Sequence, residues 1–180
     1  MRKVEKIGDY TRTTQPLISY KDTVADCFDL ARLYWKDLLL FHWNGRALKD
    51  LTLLEFYEFV KSIQYVKDPD KKEHTSRPKI LLENANSNYP FDCDDRSILS
   101  LSFFLLQNFL YGRNYETRLV VTGRYDKPRH IFVEFRDKDI IGSEWTPYDC
   151  TYPHNIFGKT LYLPQFRRVF YEINHPVKLK

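Results

Sequence analysis

Cys93 stands in the run Asp92-Cys93-Asp94-Asp95, directly before the apolar stretch Ile98 to Leu110. Packing does not call for a thiol among three carboxylates. Asp side chains accept hydrogen bonds from the free N–H groups of a first helical turn. Asp94 or Asp95 is therefore expected to open a helix, with Cys93 at or just before its first turn. The unpaired N–H groups and the helix dipole draw a thiol in that position towards thiolate. Asp92, Asp94 and Asp95 oppose this, because a second anion beside them is disfavoured. A reactive Cys93 needs a cationic partner.

His130 is the natural candidate. It stands before Ile131-Phe132-Val133-Glu134-Phe135, an expected strand, and the next expected strand ends at Asp149. A thiol at the mouth of a buried helix, an imidazole on one strand and a carboxylate on its neighbour can converge in space. The ring would take the thiol proton, and the carboxylate would fix the ring's tautomer and support its charge. His42, His74, His154 and His175 are alternative bases, but none starts a strand beside a suitable acid. Asp149 has a plainer reading as a turn residue. Asp94 and Asp95 read most simply as capping acids, with cation binding as the alternative. Cys27 and Cys150 read as packing thiols and Trp145 as a core or wall residue. The Cys93 N–H is the natural oxyanion donor, with a side-chain amide from Asn86 or Asn88 as a second.

The elements that must position these residues change period along the chain. Residues 1–19 are polar and Thr-rich and read as a surface arm or a partly disordered terminus. Apolar residues recur at helical spacing from Val24 to about Phe41, and Asn44-Gly45 ends that segment. Thr52-Leu53-Leu54-Glu55 has the spacing of a capping box before a second helical stripe that runs to about Val66. Lys67 to Glu73 reads as an exposed charged loop, and Ile80 to Asn84 as a short helical turn. The segment from about Asp94 to Leu110 is apolar on nearly all faces, so it should be the central buried helix, with Gly112 ending it. Short alternating runs follow at 119–122, 131–135 and 145–148, with a further one at 168–173. Helices first and strands later indicate an α+β fold, an antiparallel sheet packed on the central helix.

At 180 residues the chain fits one domain with a sizeable core. A net charge of +4, scattered among acids, gives no block for nucleic acid, so that partner is not expected. No apolar run reaches membrane-spanning length, so no membrane partner is expected either. The N-terminus leads into no apolar signal core, and three widely spaced cysteines fit reduced thiols, so a cytoplasmic protein is expected. No C-x-x-C pair occurs, and neither a metal nor a cofactor is expected.

Three motifs in order resemble the transglutaminase-like superfamily, in particular its bacterial and phage members: Asp92-Cys93-Asp94-Asp95, His130-Ile131-Phe132-Val133-Glu134 and Trp145-Thr146-Pro147-Tyr148-Asp149. The upstream Tyr65-Val66-Lys67-Asp68 and Pro78 are similar to the segment that leads into the cysteine there, so the resemblance covers roughly residues 60–152. It implies a papain-like α+β core, with Cys93 as nucleophile, His130 as base and Asp149 as orienting acid; along the chain a helical part is expected over 20–75 and the catalytic core over 76–175. The glycine usual before Asp92 is Phe91 here, which is expected to make the approach to the cysteine bulkier. The expected activity is a thiol attack on the amide bond of a protein or peptide through a thioester, with a peptidase or amide hydrolase ranked above an acyltransferase only because water is always present. The alternative is a non-catalytic structural or assembly protein, such as a phage virion component. Oligomeric state is left open.

Overall fold

The longest helix among the described residues carries Asp94, Asp95 and Arg96, all almost wholly buried, in its first turn. The structure, a computed structural model, describes residues 3–7, 10–16, 19–69, 72–159 and 164–171. In chain order these form β1 (Lys3–Ile7), β2 (Tyr10–Pro16), α1 (Tyr20–Tyr34), β3 (His42–Trp43), β4 (Arg46–Ala47), α2 (Leu53–Ser62), β5 (Lys72–Ser76), α3 (Pro78–Glu83), α4 (Cys93–Tyr111), β6 (Tyr115–Arg124), β7 (Lys127–Asp137), β8 (Thr146–Tyr148) and β9 (Phe166–Tyr171).

The architecture is α+β. A four-stranded antiparallel sheet in the order β8-β7-β6-β9 packs against α4. Ile98, Leu99, Phe103 and Leu106 of α4 are fully or almost fully buried, and each such side chain contributes roughly 1.5–3 kcal/mol by leaving water. Phe103 stacks on Phe56 of α2 with ring centroids 3.9 Å apart, which fixes the two helices face to face. Gly112 ends α4 at φ 60, a left-handed cap that only glycine takes without strain.

Several boundaries differ from the sequence expectation. The opening residue of α4 is Asp92, not Asp94 or Asp95, so Cys93 is the first helical residue. Asp92 accepts from the Asp94 N–H, and Asp95 reaches back to the Asp92 N–H at 3.4 Å, a reciprocal cap. The expected capping box of α2 is present, with Glu55 accepting from the Thr52 N–H at 2.8 Å. That helix stops at Ser62 rather than near Val66, because Val66 turns out to exchange backbone hydrogen bonds with Phe91 at 3.0 and 2.8 Å. Instead of an arm, 3–7 and 10–16 form a hairpin whose second strand pairs with β5. Residues 72 and 73, expected in a loop, belong to that strand. The expected final strand is β9, and the part expected at 172–173 lies outside the described residues.

The hairpin β6–β7 carries a register shift between Thr122 and Gly123, next to the Thr122–His130 pair. A Cβ at Gly123 would lie 1.9 Å from the Lys127 carbonyl oxygen, so the strands approach only because the side chain is missing. Gly123→Ala is expected to destabilise the chain by about 1–3 kcal/mol in urea unfolding. It should also shift the His130 resonances in NMR spectra.

Candidate functional site

The sheet and α4 bring Cys93, His130 and Asp149 to one end of the fold. His130 is the fourth residue of β7 rather than the residue before a strand, because the hairpin turn falls at Tyr125-Asp126. Asp149 follows directly on β8, which pairs with β7. Its carboxylate is fixed on both oxygens. Oδ2 lies 2.8 Å from His130 Nε2, and Oδ1 accepts from the Thr151 N–H at 3.1 Å. The Asp149 carbonyl accepts from the Tyr57 hydroxyl at 3.0 Å, which ties the segment to α2. A carboxylate only accepts, so the bond to Nε2 places a proton on Nε2 and leaves a lone pair on Nδ1.

His130 Nδ1 is buried and has no hydrogen-bond partner. His130 and Cys93 line the same cavity, of about 310 Å³. No hydrogen bond joins the thiol to the ring. The thiol is pushed well above its ordinary range, first by burial and then by the charge of Asp92. The Ile131 N–H pulls it back, while Glu73 and Asp149 push it further up. Without a bound partner, Cys93 therefore rests as the neutral thiol near neutral pH. His130 also borders a second cavity, of about 540 Å³, with Arg124, Tyr125 and Tyr152 in its wall.

The other sequence candidates fall elsewhere. Cys27 and Cys150 are core residues, 0% and 2% exposed. Burial holds both thiols up, that of Cys150 at about 12. His42 and His154 are exposed, His74 is buried against Tyr89, and none of the three lines the cavity. His175 lies outside the described residues. Asn86 and Asn88 are exposed and absent from the cavity wall, and the Asn86 Oδ1 accepts from the Gln64 N–H, away from the thiol. Trp145 lies on the sheet between the guanidiniums of Arg118 and Arg136. Phe91 does not crowd the cysteine, because its ring is buried in the core 5.0 Å from the Arg96 guanidinium.

Arg96 is the residue that sequence reasoning missed. Its guanidinium donates to the carbonyls of Val60 and Ile63 at the end of α2, both at 2.6 Å, and to that of Cys150 at 3.0 Å. It thereby closes the C-terminus of α2 and anchors the segment that carries Asp149. The signal available was a lone cation after three acids at the head of an otherwise apolar helix. Glu73 and Asp68, which sequence reading placed in an exposed loop, also line the cavity.

Asp92, Cys93 and Asp94 place ligand atoms within 4.8 Å of one another, a spacing that a metal ion can bridge. Helix capping accounts for the arrangement, since Asp92 Oδ1 accepts from the Asp94 N–H. No helix among the described residues is long and apolar enough to cross a membrane. Comparison with models of known protein families, with curated proteins and with solved structures finds no match to this chain.

Two outcomes follow. Arg96→Met removes the guanidinium from the carbonyls of Val60, Ile63 and Cys150, of which Val60 keeps the Ile63 N–H, and is expected to cost about 3 kcal/mol or more in urea unfolding. Asp92→Asn keeps a good helix cap but removes the charge that raises the thiol most. The pH profile of Cys93 alkylation by iodoacetamide should then move to lower pH, the direction expected when an anion that raises the thiol is lost.

Proposed function

We propose that the chain is a cysteine enzyme acting on amide bonds, with Cys93 as nucleophile, His130 as base and Asp149 as the residue that orients the ring. The observation that carries this reading is the 2.8 Å bond from Asp149 to Nε2, which leaves a buried, partnerless Nδ1 on a ring that lines a cavity with Cys93. The order of the three motifs, which resembles transglutaminase-like enzymes, supports the same assignment.

Chemically, Nδ1 takes the Cys93 proton as Sγ bonds to the amide carbonyl carbon, and the Nε2–H to Asp149 bond stabilises the imidazolium. The Cys93 N–H at the head of α4 is the nearest helix-start donor for the oxyanion. Collapse of the tetrahedral intermediate breaks the C–N bond. The leaving amine takes the proton from Nδ1, and a thioester remains on Cys93. Water then adds to the thioester carbon and passes its proton through Nδ1 to the departing sulfur, which gives a carboxylic acid and the free thiol. An amine in place of water would give a new amide, and hydrolysis ranks first because water needs no second binding site.

One observation favours a non-catalytic reading. The thiol makes no hydrogen bond with the ring, and burial and acids hold it protonated. On that reading the chain is a structural or assembly component, for example of a phage virion.

Mass spectrometry of the intact chain, quenched in acid after incubation with a peptide mixture, separates the two. The enzyme gives an acyl adduct on Cys93 that is absent from Cys93→Ala. No adduct, together with Cys93 alkylation unchanged in His130→Ala, would sink the enzyme reading. Asp149→Asn puts an amide donor opposite the ring and favours the tautomer with its proton on Nδ1. It is expected to cut turnover by about a hundredfold or more, with the tautomer change visible in the 15N shifts of His130.

A further inference from the structure

The cavity beside Cys93 has acids in its depth and cations at its edge. Glu73, Asp92 and Asp94 line it with the thiol, and Asp94 is 2% exposed with an Oδ2 that has no hydrogen-bond partner. Lys67 and Arg129 share the wall, but both are exposed and so belong to its rim. His130, 7% exposed, adds a second unpartnered polar atom, Nδ1. Carboxylates drawn together and partly out of water are costly, and a volume of about 310 Å³ has room for the end of a long side chain.

The acids of this wall are not equivalent. Asp92 caps α4, Asp94 lies in its first turn, and Asp68 accepts from the His74 N–H at 2.6 Å. Glu73 comes from a different element, β5, and serves no backbone group in this way. Thr23 donates to its Oε1 at 2.7 Å, which fixes the carboxylate and leaves Oε2 for a ligand.

We propose that this cavity binds a cationic group of the substrate, an ammonium or a guanidinium, beside the amide that Cys93 attacks, with Glu73 as the carboxylate that recognises it. The inference rests on the reading of Cys93 as nucleophile and adds the substrate class. It also resolves the charge problem of the site. A cation seated beside Glu73 and Asp92 offsets two of the three carboxylate charges that work against a thiolate, so a cationic substrate favours the ionised thiol. Burial and Asp92 hold the Glu73 carboxyl above its usual range, and the same cation relieves that.

The test uses three methanethiosulfonates of one chemistry, carrying 2-aminoethyl, ethyl and 2-sulfonatoethyl groups, on the full-length chain with EDTA present. The rate of disulfide formation at Cys93 is read by peptide mass spectrometry and divided by the rate of the same reagent with 2-mercaptoethanol. The ammonium reagent is expected to exceed the ethyl reagent by about tenfold or more, with the sulfonate slowest, the range that focused fields in clefts produce. Glu73→Gln keeps an acceptor for Thr23 and removes the charge. It should lower the ammonium-to-sulfonate ratio several-fold, while the ethyl reagent reacts no slower. Equal normalised rates in the unmodified chain would overturn the proposal and leave the nucleophile standing. A full ratio in Glu73→Gln, in a chain with unchanged circular dichroism, would overturn the role of Glu73. A Cys93 inert to all three reagents would end the nucleophile reading, and this inference with it.

Discussion

One buried guanidinium holds together the segments that make the site. Arg96 lies in the first turn of α4, yet its donors reach the end of α2 and the chain just after Asp149. Three short bonds to carbonyls hold a charge that burial disfavours, and burial lowers its proton affinity. Removing one side of such an arrangement strands the other, so the contact is a constraint more than a source of net stability. Its effect is geometric. The turn that presents Cys93 and the segment that presents Asp149 cannot move independently.

The same turn concentrates opposite charge. Asp95 is fully buried and its carboxyl is held well above the ordinary range, by burial first and by Asp92 next. Asp94 shifts the same way for the same leading causes. These shifts favour neutral acids that can cap a helix without adding a full charge beside the thiol. The site is thus built on groups kept away from their aqueous protonation states, an arrangement that burial and the charge of Asp92 together sustain.

The sequence made some of this legible because local chemistry decided it. The apolar run behind Cys93 could only be a buried helix, the Thr52–Glu55 spacing marked a helix start, and alternation marked β6 and β7. The pairing of His130 with Asp149 was legible as neighbouring strands. Glu73-His74-Thr75-Ser76 has no apolar alternation, and its strand exists because β2 pairs with it. The end of α2 was misplaced because the stripe of apolar residues runs on through Val66. Long-range partners stop it there, Arg96 on its carbonyls and Phe91 on Val66. Asp68 and Glu73 looked like solvated loop charges, since nothing in their neighbours signals the cavity they face.

Pro147, in the edge strand β8, sits opposite Glu134, and its carbonyl accepts from the Gly158 N–H at 3.1 Å. In a strand the N–H and C=O of one residue point to the same side. The proline nitrogen, which has no hydrogen, therefore also faces outward, away from β7. The margin of the sheet nearest Asp149 thus offers neither a free donor nor a free acceptor at its middle residue. Another chain cannot add a strand there by backbone pairing. The segment that carries Asp149 is thereby protected from edge-to-edge aggregation.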